Sequence, residues 1–460
     1  MRMQAREIAD EDVVAQLPDS LRTLMTLERF HLHKAEMFQN RSRDPGFDTR
    51  YFPQHCAAFQ LPCFWIHRRH LYAYGHRGEA DDEFTRLAGE GSHERVLFPI
   101  HPSSLDRYRP FLYDAAAQSA ADEGLRVWAI PTSSTRTLLA WPDRKPEKAL
   151  FVKTTLHSDI FGDRRMQRSK VGRSVGLSRL MQDCRASLPS ALEFFPESAG
   201  VVPRQMPDSG AVIRSIPEDI KAGRVQVAPL FSLLGGSGKH TPLLLTILQR
   251  NDIPALMFVE EMLCAAFAKL WLEMSLRHGL ILESHGQDIL LALSPDLVPL
   301  GRFYYRDFEG LQVDWELRRR QGLPPPHDMP HDWSWRETYA TWGYRYSEFA
   351  WYKLRISLFT YLHLVLNETE LSLQDWHARG LIHCPNVRTG DIAAMFSTRL
   401  REAVKAQFGV SVECDVNRAL NRFVISLLKI RREIMGTWRS PLSGFRPLRP
   451  EAEGKSRAFD

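Results

Sequence analysis

The chain lacks most features that assign a protein to a class at once. Its six cysteines are scattered at 56, 63, 184, 264, 384 and 414 with no CxxC pair, so a disulfide scaffold or redox dithiol has no support. Its longest apolar run, 356–366, is interrupted by Tyr361 and His363 and is far too short to cross a bilayer. The N-terminal MRMQAREIADEDVVAQL is charged and has no apolar centre, which argues against a signal peptide. A cytoplasmic protein without a membrane partner is expected. There is no internal repeat and no basic–aromatic platform that would favour nucleic acid. A net charge of +5 over 460 residues suits anionic small molecules as well as nucleic acid and selects neither. A true phosphate loop is missing too. In LLGGSGKHT (233–241), Leu233 stands where G-x4-G-K-[ST] requires its first glycine, and His240 follows the lysine. A Gly-rich linker, the hinge of a cleft, is the better reading.

What remains is ordinary for a globular chain, 44% hydrophobic and 25% charged, but 460 residues exceed one simple core. The expected organisation is a helical region at 1–90, a strand-rich region at 91–239, a largely helical region at 240–445 and a basic tail at 446–460. In the first, Cys56, Cys63, His67 and His70 form C-x6-C-x3-H-x2-H. That is not a recurring zinc spacing, and buried cysteines with surface histidines are the simpler reading. ERVLFPIHP (94–102) reads as a strand ending where Pro102 holds His101 extended. GLRVWAIPTSSTRTLLAW (124–141) reads as two strands around a polar turn, and ALFVKTTLHSDIFGDRR (149–165) as a third running into basic residues. A long helix is predicted over 253–278, with Asp252 as N-cap, Pro254 in the first turn and Gly279 closing it.

The chemistry concentrates in LILESHGQDILLALSPDLVPLGRFYYRDFEG (280–310). Alternation along an extended segment places Glu283, His285 and Gln287 on one face. Gly286 is expected to turn a hairpin between the LIL and ILLAL runs, with Asp307 beside Arg306 on a later strand. Ser133, Ser134, Arg136 and Thr137 form either a solvated turn or a phosphate cradle of hydroxyls with a guanidinium fork. Lys153 and Arg165 add cations suited to a polyphosphate, while Glu283 and Asp307 suit Mg2+, or simply serve as salt-bridge partners. A nucleotide-using enzyme is expected, its cleft between 91–180 and 240–460. The rhythm HGQD…RDFEG also echoes small-molecule kinases, with Asp288 as base and Asp307 as metal ligand. The loop asparagine and the strand lysine of that pattern are missing.

HP at 101–102, TSSTRT at 132–137, Lys153…Arg165, ESHGQD at 283–288 and RDFEG at 306–310 occur in one order. In that order they resemble the NRPS-independent siderophore synthetases, the aerobactin-synthetase-like (IucA/IucC) family, from about Arg95 to Arg431. The resemblance implies an α+β, cupped-hand architecture, with a mixed α/β fingers region, a largely helical palm and a thumb-like N-terminal region that is shortened here. It implies a ligase that uses ATP and Mg2+ to activate a carboxylic acid, often citrate, as an acyl-adenylate, which an amine or alcohol then attacks. Ser133, Ser134, Arg136, Thr137, Lys153, Arg165 and His101 would bind ATP. Arg165, His285, Gln287 and Lys429 would bind the acid, with Arg165, His285 and Lys153 catalytic and Glu283 and Asp307 on the metal. A homodimer is compatible with it. The chain departs from the family pattern at HPSS (101–104), Phe161 and Asp288. These departures keep open a non-acting nucleotide-binding partner of another synthetase.

Overall fold

Alternation along two neighbouring strands sets the architecture. The computed structural model describes residues 8–9, 11–29, 49–53, 56–75, 94–134, 136–156, 168–235, 241–323, 365–384, 387–409, 411 and 431. Thr137–Pro142 and Leu150–Thr154 pair antiparallel, with Thr137 opposite Lys153 and Leu138 opposite Val152. They lie at the centre of an eight-stranded sheet. Its order is Ile8–Ala9, Ala58–Gln60, Val127–Pro131, Thr137–Pro142, Leu150–Thr154, Ala211–Arg214, Glu197–Pro203 and Leu71–Tyr74.

Because side chains alternate, each face of this sheet has its own core. Leu138, Ala140, Val152 and Ile213 pack on one side with Phe64, Leu97 and Phe111. These come from a three-stranded sheet (Cys63–His67, Arg95–Pro99, Gln118–Ser119) and the Leu105–Asp114 helix. On the other side Leu139, Trp141 and Phe151 pack with Leu21, Leu24 and Met25 of the Asp19–Arg29 helix, and with Leu290, Ala292 and Tyr304 of a second sheet. That sheet has four strands, in the order Leu192–Phe194, Pro299–Tyr305, Ile289–Leu293 and Gln226–Pro229. Its far face (Ile289, Leu291, Phe303, Tyr305) packs with Ile247, Phe267, Leu373 and Phe396 of a helical layer. Lys153 shares parity with Phe151, and Phe151 lies opposite Arg214. Thr137, Lys153 and Arg214 therefore belong to the face that meets the second sheet.

Several expectations change. Residues 58–74, predicted helical, form three strands that join the sheets above. The long helix exists but starts at Ala255 after an N-cap Pro254 and runs through π-helical turns to Arg277. Asp252 sits in a turn at φ 50°, not at the cap, while Gly279 closes the end at φ 62°. The hairpin expected around Gly286 does not form. Leu280–Ile281 pairs with Gln312–Val313, while Ile289–Leu293 pairs with Pro299–Tyr305. The competing turn is SPDLV, where the Ser294 hydroxyl accepts the Asp296 and Val298 amides at 3.2 and 3.1 Å. Such Ser–Pro–Asp chemistry closes a hairpin more readily than a lone glycine. Gly286 answers a packing demand instead: a Cβ there would lie 2.6 Å from Phe231 and 2.9 Å from Val365.

Cys56, Cys63, Cys264 and Cys384 are buried and free. No described helix is long and apolar enough to cross a membrane. Arg165, Phe161 and Lys429, residues 236–240 of the glycine-rich stretch, and the 446–460 tail lie outside the described residues.

Candidate functional site

Without the expected hairpin, residues 282–288 run as a loop from one sheet to the other. The loop, the turn at 132–137, and the segment after the Pro299–Tyr305 strand converge on Lys153. Lys153 is 2% exposed, too buried to be solvated. Its Nζ lies 2.6 Å from Asp307 Oδ1 and 3.6 Å from Glu309 Oε2, and Lys170 Nζ lies 3.1 Å from Glu309. Asp307 adopts φ 70°, a conformation that costs a non-glycine residue energy and gathers at functional sites. The Tyr305 hydroxyl donates to its carbonyl at 3.2 Å.

Two carboxyls here are driven in opposite directions. Burial alone would raise Asp307, but the positive charges of Lys153, Arg214 and Arg136 hold it well below the ordinary carboxylate value. Asp288 is pushed well above that value by burial and then by the negative charge of Asp307; Glu283 adds to this, while Arg306 and Arg214 oppose it. Neighbouring groups with opposed shifts mark sites built for charged chemistry. Glu283 depends on the missing side chain of Gly310, where a Cβ would lie 1.6 Å from its Oε2.

The other proposed residues are tied in by hydrogen bonds. Thr154 N donates to Arg136 O at 2.8 Å, joining the polar turn to the lysine strand. Within the turn, Thr137 N donates to Ser134 O at 2.9 Å and Thr137 Oγ1 lies 3.5 Å from Ser134 Oγ. Ser133 is buried; its hydroxyl donates to Glu28 at 2.9 Å and accepts from Gln287 Nε2 at 3.3 Å. His285 Nδ1 accepts the Gln287 amide at 3.2 Å and lies 3.7 Å from Asp288 Oδ2. The His285 ring meets Phe231 edge-on at 5.1 Å. His101 is fully buried, its Nδ1 accepting Ser103 N at 3.2 Å, with its ring against Tyr51 and Phe59. Those two rings belong to the core on the face opposite Lys153.

Sequence reasoning missed two charged residues. Arg214 ends the buried strand AVIR, pairs with Glu197 at 2.6 Å and contributes charge to both Asp307 and Asp288. Glu28 falls on the buried face of its helix, four residues after Leu24 and seven after Leu21. It holds Arg306 through two 2.8 Å bonds. The signal for each was a charge on an otherwise apolar face.

Among the described residues no group of three His, Cys, Asp or Glu forms a metal cage. Mg2+ needs none, since it is commonly held by one or two carboxylates together with phosphate oxygens and water. The proximity of Glu283 and Asp307 to Asp288, visible in its raised titration, fits an ion that arrives with a polyphosphate.

Residues 40–235 match the model of the IucA / IucC family, and residues 262–344 match that of the ferric iron reductase FhuF-like transporters. The second stretch holds a single cysteine, Cys264, whose thiol burial pushes up to about 12. No curated protein matches the sequence. Among solved structures, ATP-bound aerobactin synthetase IucA from a hypervirulent Klebsiella pneumoniae is 17% identical, with a TM-score of 0.52 over 78% of this chain and 74% of that one. Aerobactin synthetase IucC from the same pathotype is 15% identical, with a TM-score of 0.56 over 87% and 76%. Petrobactin biosynthesis protein AsbB from Bacillus anthracis is 15% identical, with a TM-score of 0.56 over 79% of this chain and 64% of that one. Residues 40–235 are thus similar to the IucA / IucC family, and the α+β fold of the chain is that of the aerobactin synthetase structures IucA and IucC.

Proposed function

We propose that the chain is an ATP-dependent ligase of siderophore-type biosynthesis, joining a carboxylic acid to an amine or alcohol. The observation that carries this reading is the convergence of Lys153, Arg214 and Arg136 on Asp307, beside the raised carboxyl of Asp288. Adenylation brings a carboxylate against a polyphosphate, and repulsion between the two anions dominates unless fixed cations offset it. A lysine already desolvated beside a carboxylate is such a cation: phosphate oxygens can replace part of its pairing without further loss of water. The acid oxygen attacks the α-phosphorus, its bond to pyrophosphate breaks, and an acyl-adenylate forms. The amine or hydroxyl then attacks the acyl carbon, AMP leaves, and the nucleophile loses its proton.

Ser134, Arg136, Thr137 and Lys153 would hold the phosphates, with Ser133 setting the turn and Arg165 bridging ATP and acid. His285, Gln287 and Lys429 would face the acid, citrate or a related polycarboxylate. Glu283 and Asp307 would hold Mg2+, which when bound would offset charge on the phosphates. The domain reading follows: ATP lies between the strand-rich 91–239 region and the palm at 240–445.

The test supplies ATP, Mg2+ and a panel of acids beginning with citrate, with hydroxylamine as trap. The expected result is equal amounts of pyrophosphate and hydroxamate. ADP in place of AMP would make the chain a kinase, and ATP binding without turnover across the panel would make it a non-acting partner.

A further inference from the structure

The Asp19–Arg29 helix ends in a buried charge that the proposed reaction does not use. Glu28 is fully buried. Its two oxygens take Arg306 Nη1 and Nη2, both at 2.8 Å, and its Oε1 also accepts the Ser133 hydroxyl at 2.9 Å. Arg306 donates as well to the Gln287 carbonyl, from Nε at 3.0 Å and Nη2 at 2.8 Å. Gln287 Nε2 closes the ring on Ser133 at 3.3 Å. The helix carboxylate thus holds the polar turn and the residue before Asp307 directly, and both of these in turn hold the 282–288 loop through Gln287.

Stability does not explain this arrangement. Burying an ion pair costs desolvation that its attraction only roughly repays, and apolar residues of similar volume often do as well. Geometry does explain it. Ser133 adjoins Ser134 in the turn, Gln287 adjoins Asp288, and Arg306 adjoins Asp307, whose φ of 70° needs its neighbours to hold it. We propose that Glu28 is a positioning residue. Through Arg306 and Ser133 it sets the spacing between the turn and the acidic wall, so that Lys153 and Asp307 meet one ligand. The role rests on the ligase reading only for its effect on turnover.

The test uses the full chain carrying Glu28→Gln, which keeps shape and removes charge. Lysine acetylation is read by mass spectrometry as the rate at Lys153 relative to exposed Lys145, with labelling of buried Cys264 as the reporter of global opening. The expected result is at least a fivefold rise in the Lys153 ratio with Cys264 unchanged. In the pyrophosphate assay, kcat should fall at least tenfold while the KM for ATP stays within threefold. Should Glu28→Gln alone leave Arg306 uncompensated and unfold the chain, the double variant Glu28→Gln/Arg306→Gln carries the same readouts without a buried lone charge. An unchanged Lys153 ratio, or one rising together with Cys264, overturns the proposal. A wild type that releases no pyrophosphate with any acid defeats the ligase reading, while the Lys153 ratio still decides the role of Glu28.

Discussion

At the scale of single residues, opposed charges meet around Lys153 and Asp307. Lys153→Ala leaves the partly buried Asp307 without its nearest cation at 2.6 Å. It is expected to lower pyrophosphate release on the order of 10²–10³-fold, measured at saturating ATP with the circular dichroism spectrum retained. Asp288 offers a separate readout in stability. Its folded-state value lies above the ordinary carboxylate value, so the native state binds a proton the unfolded state has already lost. That contribution is complete below the unfolded value and is lost as pH rises through the folded one. Asp288→Asn removes the repulsion, so its Tm should exceed that of the wild type by a margin that widens from pH 5 to pH 8 in the absence of nucleotide. A margin that narrows over this range would contradict the arrangement of Glu283, Asp288 and Asp307.

At the scale of elements, junctions rather than strands decide where these residues point. Gly279 ends the long helix at φ 62°, and a Cβ there would lie 2.8 Å from Arg318 Cγ and 3.0 Å from the Asp314 carbonyl. Gly279→Ala should cost about 1–3 kcal/mol, visible as a lower urea midpoint with an unchanged slope. Gly279 was readable as a helix stop because the pattern Arg-His-Gly is local. The hairpin was misread because two turn signals competed, Gly286 and Ser294–Pro295–Asp296. Which of them closes depends on where the flanking strands find partners: Leu280–Ile281 with Gln312–Val313, and Ile289–Leu293 with Gln226–Pro229 on its other edge. Those partners are distant in sequence, so local turn chemistry favours the second turn but does not by itself set the pairing.

At the scale of the whole molecule, two sheets face each other with charge at one end of an apolar interface. A ligand that binds there stabilises the folded state alone. MgATP at a hundredfold its Kd should add about 2.7 kcal/mol, read as a rise in Tm. Chelation with EDTA should shrink that rise if Glu283 and Asp307 hold the ion, while an equal rise with and without the metal would remove them from that role. The sequence by itself determined the lysine strand, the hydroxyl-rich turn, the long helix and the acidic segment, because propensity, parity and turn chemistry act over a few residues. It also carried the order of motifs that resembles the siderophore synthetases. Only the tertiary structure decided that Glu28 and Arg214 join these groups, that Ser133 turns to Glu28, and that His101 packs on the other face. Those outcomes depend on which faces meet between segments far apart in the chain, and on which buried charges then find one another.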